Sequence, residues 1–406
     1  MKKRHLGVAG FTAAAALAFS LAGCAGQEGG AANETSAVTS SSTEQLSDSA
    51  SSSFADAAAL DLSSQKLADA DVSTSESFSD ATDGGHAIIA DATSAQYSAA
   101  AVQKTGDSSG DEADFYGENA SMFATNGATL DLSNIIVGSD GTHANGVFSY
   151  GSGTTVNISH SIIRTAGNCS GGLMTTGGAT MNASDVTAET QGNSSAAIRS
   201  DRGGGDVNVS GGYFTTQGTG SPVIYSTADV AVEGAYLQSS SSQGVVVEGK
   251  NSVSLTGCQL IASNTSKNSD KSDYYQAVMI YQSMSGDATQ GTAAFSMNGG
   301  SLTNQNGDIF FVNNTSCEID LTGSAIVNND ASGVFLRAAA AGWGSQGSNG
   351  GKVNGRAAGR RARGSRQQRR CWRQRGIHPA EQARGIGTPG KRRIRPVCGS
   401  ATLDVR

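Results

Sequence analysis

Proline is almost missing from this chain: four in 406 residues, three of them after Asn354. Such scarcity excludes collagen-like and proline-rich linker architectures, while 54 glycines suit tight turns between strands. Cysteines number six and stand apart, with no Cys-x-x-Cys and no Cys/His spacing of a zinc site, so neither a disulfide framework nor a bound metal is expected. Aromatic residues make up 6% and histidines five in all. Basic residues are scarce where acidic ones are not: Cys24 to Val353 holds 10 Lys/Arg against 33 Asp/Glu, a net of −23. No nucleic-acid partner is expected.

What is present is a repeat. An eight-residue phrase alternating apolar and polar positions begins at Leu130, Val156, Met181, Val207, Val230, Val253, Phe295 and Ile319. The copies are 26, 25, 26, 23, 23, 42 and 24 residues apart. A period of two inside each copy is a strand with one buried face, and a period of 20–50 residues between copies is a solenoid. The fifth position of each copy is Asn134, His160, Asp185, Gly211, Gly234, Gly257, Gly299 or Gly323. Glycine, Asn, Asp and His accept positive φ most readily, so this column is read as a bend repeated at one point of every coil.

A second apolar strand follows each copy, for example at Gly146, Gly172, Ala197, Val223, Val278, Ile309 and Val334. Two or three strands per 23–26 residues predict an all-β, right-handed parallel β-helix of about eight to nine rungs over residues 84–353. Ile88, Ile89, Ala95 to Val102 and Phe123 are remnants of a fainter leading rung. Asp131, Asn157, Asn182 and Asn208 are expected to stack as a ladder on the outer face. The 42-residue spacing holds an insertion, from about Thr265 to Gln276, expected to emerge as a loop carrying Tyr274 and Tyr275.

Residues 1–23 read as a targeting segment: Lys2, Lys3 and Arg4, then an apolar stretch, ending Leu21-Ala22-Gly23-Cys24. This looks like a bacterial lipobox, which implies cleavage before Cys24, lipidation of its thiol, and a protein exported to the cell envelope and anchored to the outer face of the membrane. Residues 24–83, rich in Ser, Ala, Asp and Glu, are expected to be a disordered tether. Residues 354–406 carry 15 Lys/Arg and 2 Asp/Glu, a net of +13. Two readings stand for this tail: translation in a shifted frame, because arginine codons of the CGN type displaced by one base encode Val, Ala, Asp, Glu or Gly, or a real basic tail for an anionic polymer.

Chemistry is sparse. Arg199, Asp201 and Arg202, with Tyr225 and Tyr281 expected in the same outward row, form the best local cluster. It is read as an ion pair on a solvated face, as a glycan-contact surface, or as the centre of a polysaccharide lyase or hydrolase. Tyr274 and Tyr275 are candidates to stack on sugars or to pack back on the rod. His143 and His160 are read as turn and bend residues and not as metal ligands or catalytic groups; no cofactor is expected.

The phrases FYGENASMFATNG at Phe115, VFSYGSG, AAIRSDRGGG, GSPVIYSTAD, VVVEGKNSV, VMIYQSMSGDA and GWGSQGSNGG resemble a family of uncharacterised bacterial right-handed β-helix surface lipoproteins described as adhesin-like. The likeness covers most of Gly84 to Val353. It implies a non-enzymatic, surface-exposed rod with polysaccharide or host-glycan partners and no catalytic residues to carry over. Family members continue past GSNGG with acidic, Val/Thr-rich sequence; this chain departs there, which supports the shifted-frame reading.

Overall fold

The computed structural model describes residues 60–265, 274–283, 288–339 and 353–358. They form an all-β molecule built as two sheets of sixteen and ten strands. Every strand pairing among the described residues is parallel. Each strand pairs with its counterparts in the preceding and following repeats, the arrangement of a solenoid-like β fold.

The repeat of the sequence is the register of the larger sheet. Leu130, Val156, Met181, Val207, Val230, Val253, Phe295 and Ile319 are successive Cα partners in one column. All eight lie in the main core, where a fully buried side chain of this kind contributes roughly 1.5–3 kcal/mol. Val253 pairs directly with Phe295, so the long spacing between them does not interrupt the sheet. The smaller sheet supplies the facing column: Ile88, Met122, Val147, Leu173, Ile198, Ile224, Val245, Val278, Phe310 and Leu336.

The eight bend-column residues all have positive φ, from 44° at His160 to 68° at Gly299. At Gly234 a Cβ would meet nothing within 4 Å, so the cost of a side chain there is conformational alone. Gly234→Asn is therefore expected to be nearly neutral and Gly234→Ala to cost about 1 kcal/mol, with Gly234→Val costlier still. Urea midpoints of the three variants check the order, and a steric bend would instead rank them by size.

Two boundaries differ from the sequence expectation. Residues 60–83, assigned to the tether, pack as a strap on the larger sheet. Leu62 N donates to Gln259 Oε1 (2.7 Å), and Gln65 Nε2 donates to Gly234 O (2.6 Å) while its Oε1 accepts from Gly212 N (2.6 Å). Leu67 and Val72 bury against Ile162, Arg164 pairs with Asp69 (2.5 Å), and Glu76–Asp80 pairs as a strand with residues 100–104. The composition is disorder-like because single apolar residues suffice where a ready-made sheet supplies the partner surface. At the other end, the backbone of 354–358 continues the sheet beside Glu318 to Thr322, so strand pairing passes Val353. The rest of the basic tail, residues 1–59 and the insertion at 266–273 lie outside the described residues.

His160 ties bend and strap together. Its Nδ1 lies 2.6 Å from Asp185 Oδ2 and its Nε2 3.0 Å from the Asp71 carbonyl oxygen. Both partners accept, so both bonds need the imidazolium, and the carboxylate of Asp185 followed by the Asp71 carbonyl holds the His160 pKa above its ordinary value of 6.5. A raised folded pKa gives stability that is full below the unfolded value and lost as pH rises through the folded one. Hydrogen-exchange protection at residues 67–72 is thus expected to fall with rising pH in that window, and His160→Gln to abolish the dependence.

Candidate functional site

Alternation along each strand sends one residue into the core and the next to the opposite face. Next to the core column of the smaller sheet runs Phe123, Phe148, Met174, Arg199, Tyr225, Val246, Met279, Phe311 and Arg337. This face was expected to be solvated. It is buried: Arg199 is 2% exposed, Asp201 2%, Tyr225 5% and Tyr281 0%. A parallel sheet apolar on both faces is covered on both, and here Arg199 separates two outer apolar clusters, Phe123/Phe148/Met174 and Tyr225/Val246/Met279/Phe311. Over the first cluster lies the short helix Asp111–Phe115. Thr176 Oγ1 donates to Phe115 O (2.6 Å), while the Arg202 guanidinium sits 3.7 Å from the Phe115 ring and pairs with Asp111 (2.8 Å).

The buried polar groups form two hydrogen-bonded sets side by side on this face. Arg199 Nη2 and Nε donate to Asp201 Oδ2 at 2.8 and 3.3 Å, and Arg202 N donates to Asp201 Oδ1 at 3.0 Å. Tyr225 lies directly opposite Arg199 in register, as expected. Tyr281 does not continue that row. It pairs with Glu248, two residues along the sheet, and meets Tyr225 hydroxyl to hydroxyl at 3.1 Å. Both tyrosines donate to Glu248 Oε2 at 2.6 Å, and Ser283 donates to Oε1 through its hydroxyl and its backbone N–H. Burial, then the Glu248 charge, push both phenols well above their usual pKa and keep them as donors. Burial also lifts Asp201 to about 6 against the pull of Arg199. Arg199 Nη1 and Gln243 Nε2 have no protein acceptor, and their residues border one small cavity with room for about one water molecule.

The two sets are an internal clamp. Arg199, Asp201, Tyr225 and Tyr281 therefore lie inside and not on an outward, solvated face as expected, whereas Arg202 of the same candidate set keeps 31% of its side chain exposed. Tyr274 is 42% exposed, with the Arg337 guanidinium stacked 3.6 Å from its ring; Tyr275 is half-buried and its carbonyl accepts from Asp308 N (2.8 Å). Glu248, the central acceptor, was missed: it closes the apolar run VVVE and reads there as a strand end. Cys24 lies outside the described residues.

His143, Asp114 and Cys169 lie close enough to suggest a metal site. His143 is already engaged at both nitrogens, by Asp114 Oδ1 and Ser108 O, each at 2.9 Å. Cys169, expected to stand singly, is disulfide-bonded, which withdraws its sulfur from a ligand set.

The open concave surface lies on the outer face of the larger sheet: a groove of about 650 Å³. Two polar ladders line it. Gln96, Asp131, Asn157, Asn182 and Asn208 stack in register, continued by Ala231 and Ser254. Asn208 donates to Asn182 (3.0 Å), Asn182 to Asn157 (2.8 Å) and Asn157 to Asp131 (2.7 Å). Two residues further along each strand, Ser133, Ser159, Ser184 and Ser210 form a hydroxyl ladder that ends in Glu233 and Thr256. The bend column, with the strap hydrogen-bonded along it, borders the hydroxyl side. Seven strands about 4.8 Å apart make the groove roughly 29 Å long.

Comparison of the chain with known protein families, characterised proteins and solved structures returns no match.

Proposed function

We propose that this chain is an exported, lipid-anchored right-handed parallel β-helix of about eight to nine rungs. On this reading it is a non-enzymatic surface protein that binds glycans along the groove of its larger sheet. The carrying observation is the groove itself: a concave, solvent-open surface spanning seven coils, in which an amide and a hydroxyl recur together at the strand spacing in three successive coils, Asn157/Ser159, Asn182/Ser184 and Asn208/Ser210. A repeating polymer of hydroxyl-bearing units can meet such a surface at many equivalent points, each weak and together adequate. Lipidation at Cys24 would keep the rod at the cell envelope, where such polymers are found. Arg199 and Asp201, on which the alternative of a lyase or hydrolase would be centred, are each 2% exposed, which supports the non-enzymatic reading.

Ser184 and Ser210 are exposed groove residues, so tryptophan at either position fills the groove without entering the core. Binding of the full chain to immobilised polysaccharides is expected to fall at least tenfold in Ser184→Trp and Ser210→Trp, with melting temperature unchanged. Retention of binding in both variants would remove the groove from the reading. Palmitate incorporation abolished by Cys24→Ser checks the anchor separately.

A further inference from the structure

Beyond the presence of a glycan groove, and resting on that reading, the lining also states which glycans it accepts. We infer that the groove recognises a neutral, hydroxyl-rich chain laid along the stacking axis and rejects polyanions.

Charge is the first argument. Lys, Arg and His are all missing from the groove lining, whereas Asp131 and Glu233 each stand one strand in from its two ends. A uronic-acid polymer would bring repeated carboxylates against those groups with no cation to pair them. Like charges at such spacing oppose binding. The surroundings reinforce this: Asp206 and Asp229, both exposed, extend the same strands next to the ladders.

Hydrogen-bond chemistry is the second argument, and it separates neutral ligands from cationic ones. Each ladder asparagine commits one N–H to its neighbour, and Asn157 and Asn182 each accept one bond in return. An amide carries two N–H donors and two acceptor lone pairs. Asn157 and Asn182 are thus left with one donor and one acceptor apiece, and the serine hydroxyls two residues away offer the same pair. A hydroxyl of the ligand, itself donor and acceptor, satisfies both at once. A carboxylate only accepts and an ammonium only donates, so each would leave half of the ladder unmet. The intra-ladder bonds also hold the amides in one orientation, which reduces the ordering cost on binding.

Geometry is the third. The ladders repeat at the strand spacing of about 4.8 Å, close to the length of one pyranose unit, so successive sugars of an extended chain meet the three equivalent coils of Asn157/Ser159, Asn182/Ser184 and Asn208/Ser210.

Isothermal titration of the full chain with hexamers tests the inference: neutral β-glucan, xylan and mannan hexamers, hexagalacturonate and the glucosamine hexamer. At least one neutral hexamer is expected to bind at least tenfold more tightly than hexagalacturonate and no more weakly than the glucosamine hexamer. Asn208→Asp, at an exposed ladder position, is expected to weaken the neutral ligand several-fold. Glu233→Lys, which puts a cation in place of a groove carboxylate, should raise hexagalacturonate affinity. Hexagalacturonate binding as tight as any neutral hexamer, and lost in Ser184→Trp, would overturn the selectivity while leaving the groove as the glycan site. The glucosamine hexamer binding more tightly than every neutral one would overturn it too. Failure of every hexamer to bind would overturn both the selectivity and the reading beneath it.

Discussion

Replacing Arg199 by methionine is expected to destabilise the protein by about 3–5 kcal/mol, the usual cost of leaving one member of a buried ion pair without the other. Asp201 is 2% exposed and loses two of its three hydrogen bonds in that variant. The neighbouring Glu248 adds negative charge to the same buried region, already felt in the elevation of Asp201 to about 6. The double variant Arg199→Met/Asp201→Leu is expected to recover most of the loss, because it removes both charges and leaves apolar volume between two apolar clusters. Urea unfolding of the wild type, both single variants and the double variant measures the coupling. Additive losses would show that the two residues act separately.

The same pair sets a pH dependence. The folded pKa of Asp201 stands above its ordinary value of 3.8, so its contribution is full below that value and declines as pH rises through about 6. Asp201→Asn should flatten the stability profile between about pH 4 and 6. A profile unchanged by the substitution would place the titration elsewhere.

The parts of the fold legible in the sequence were those in which every coil repeats one solution. Leu130 to Ile319 announce their column because an inward strand position tolerates only apolar residues, and the bend column is legible because positive φ admits few residue types. Burial of the second face of the smaller sheet was not legible. Arg199, Tyr225 and Glu248 are polar letters in alternating strands, and what covers a strand is set by chain distant in sequence, such as the helix Asp111–Phe115. The strap was hidden for a related reason: Leu67 and Val72 are two apolar residues in a polar stretch, and their weight comes from Ile162, some ninety residues onward. The asparagine ladder was visible as a column, but its groove is a property of stacked coils and not of any one of them.

One repeat escaped notice although it is plainly spelled, and it supports the second large prediction. Thr165, Gly167 and Ser170 recur as Thr190, Gly192 and Ser195, then as Thr216, Gly218 and Ser221. Each glycine sits directly on the carbonyl of the glycine one coil below: a Cβ on Gly192 would stand 1.9 Å from Gly167 O, and one on Gly218 1.9 Å from Gly192 O. The serines then donate down the stack, Ser195 Oγ to Gly167 O (3.2 Å) and Ser221 Oγ to Gly192 O (2.9 Å). None of these glycines has positive φ, so the requirement is space and not conformation. Gly192→Ala must therefore push two coils apart against backbone atoms, lengthening the serine bonds above and below. It is expected to cost about 3 kcal/mol or more, at the upper end of overpacking penalties. Gly234→Ala, with open space around it, should cost about a third of that. Urea midpoints decide between them. Equal losses would mean that the coils yield freely at this turn; a much larger loss for Gly192→Ala would identify the Gly-Ser turn as the place where the spacing of the stack is set.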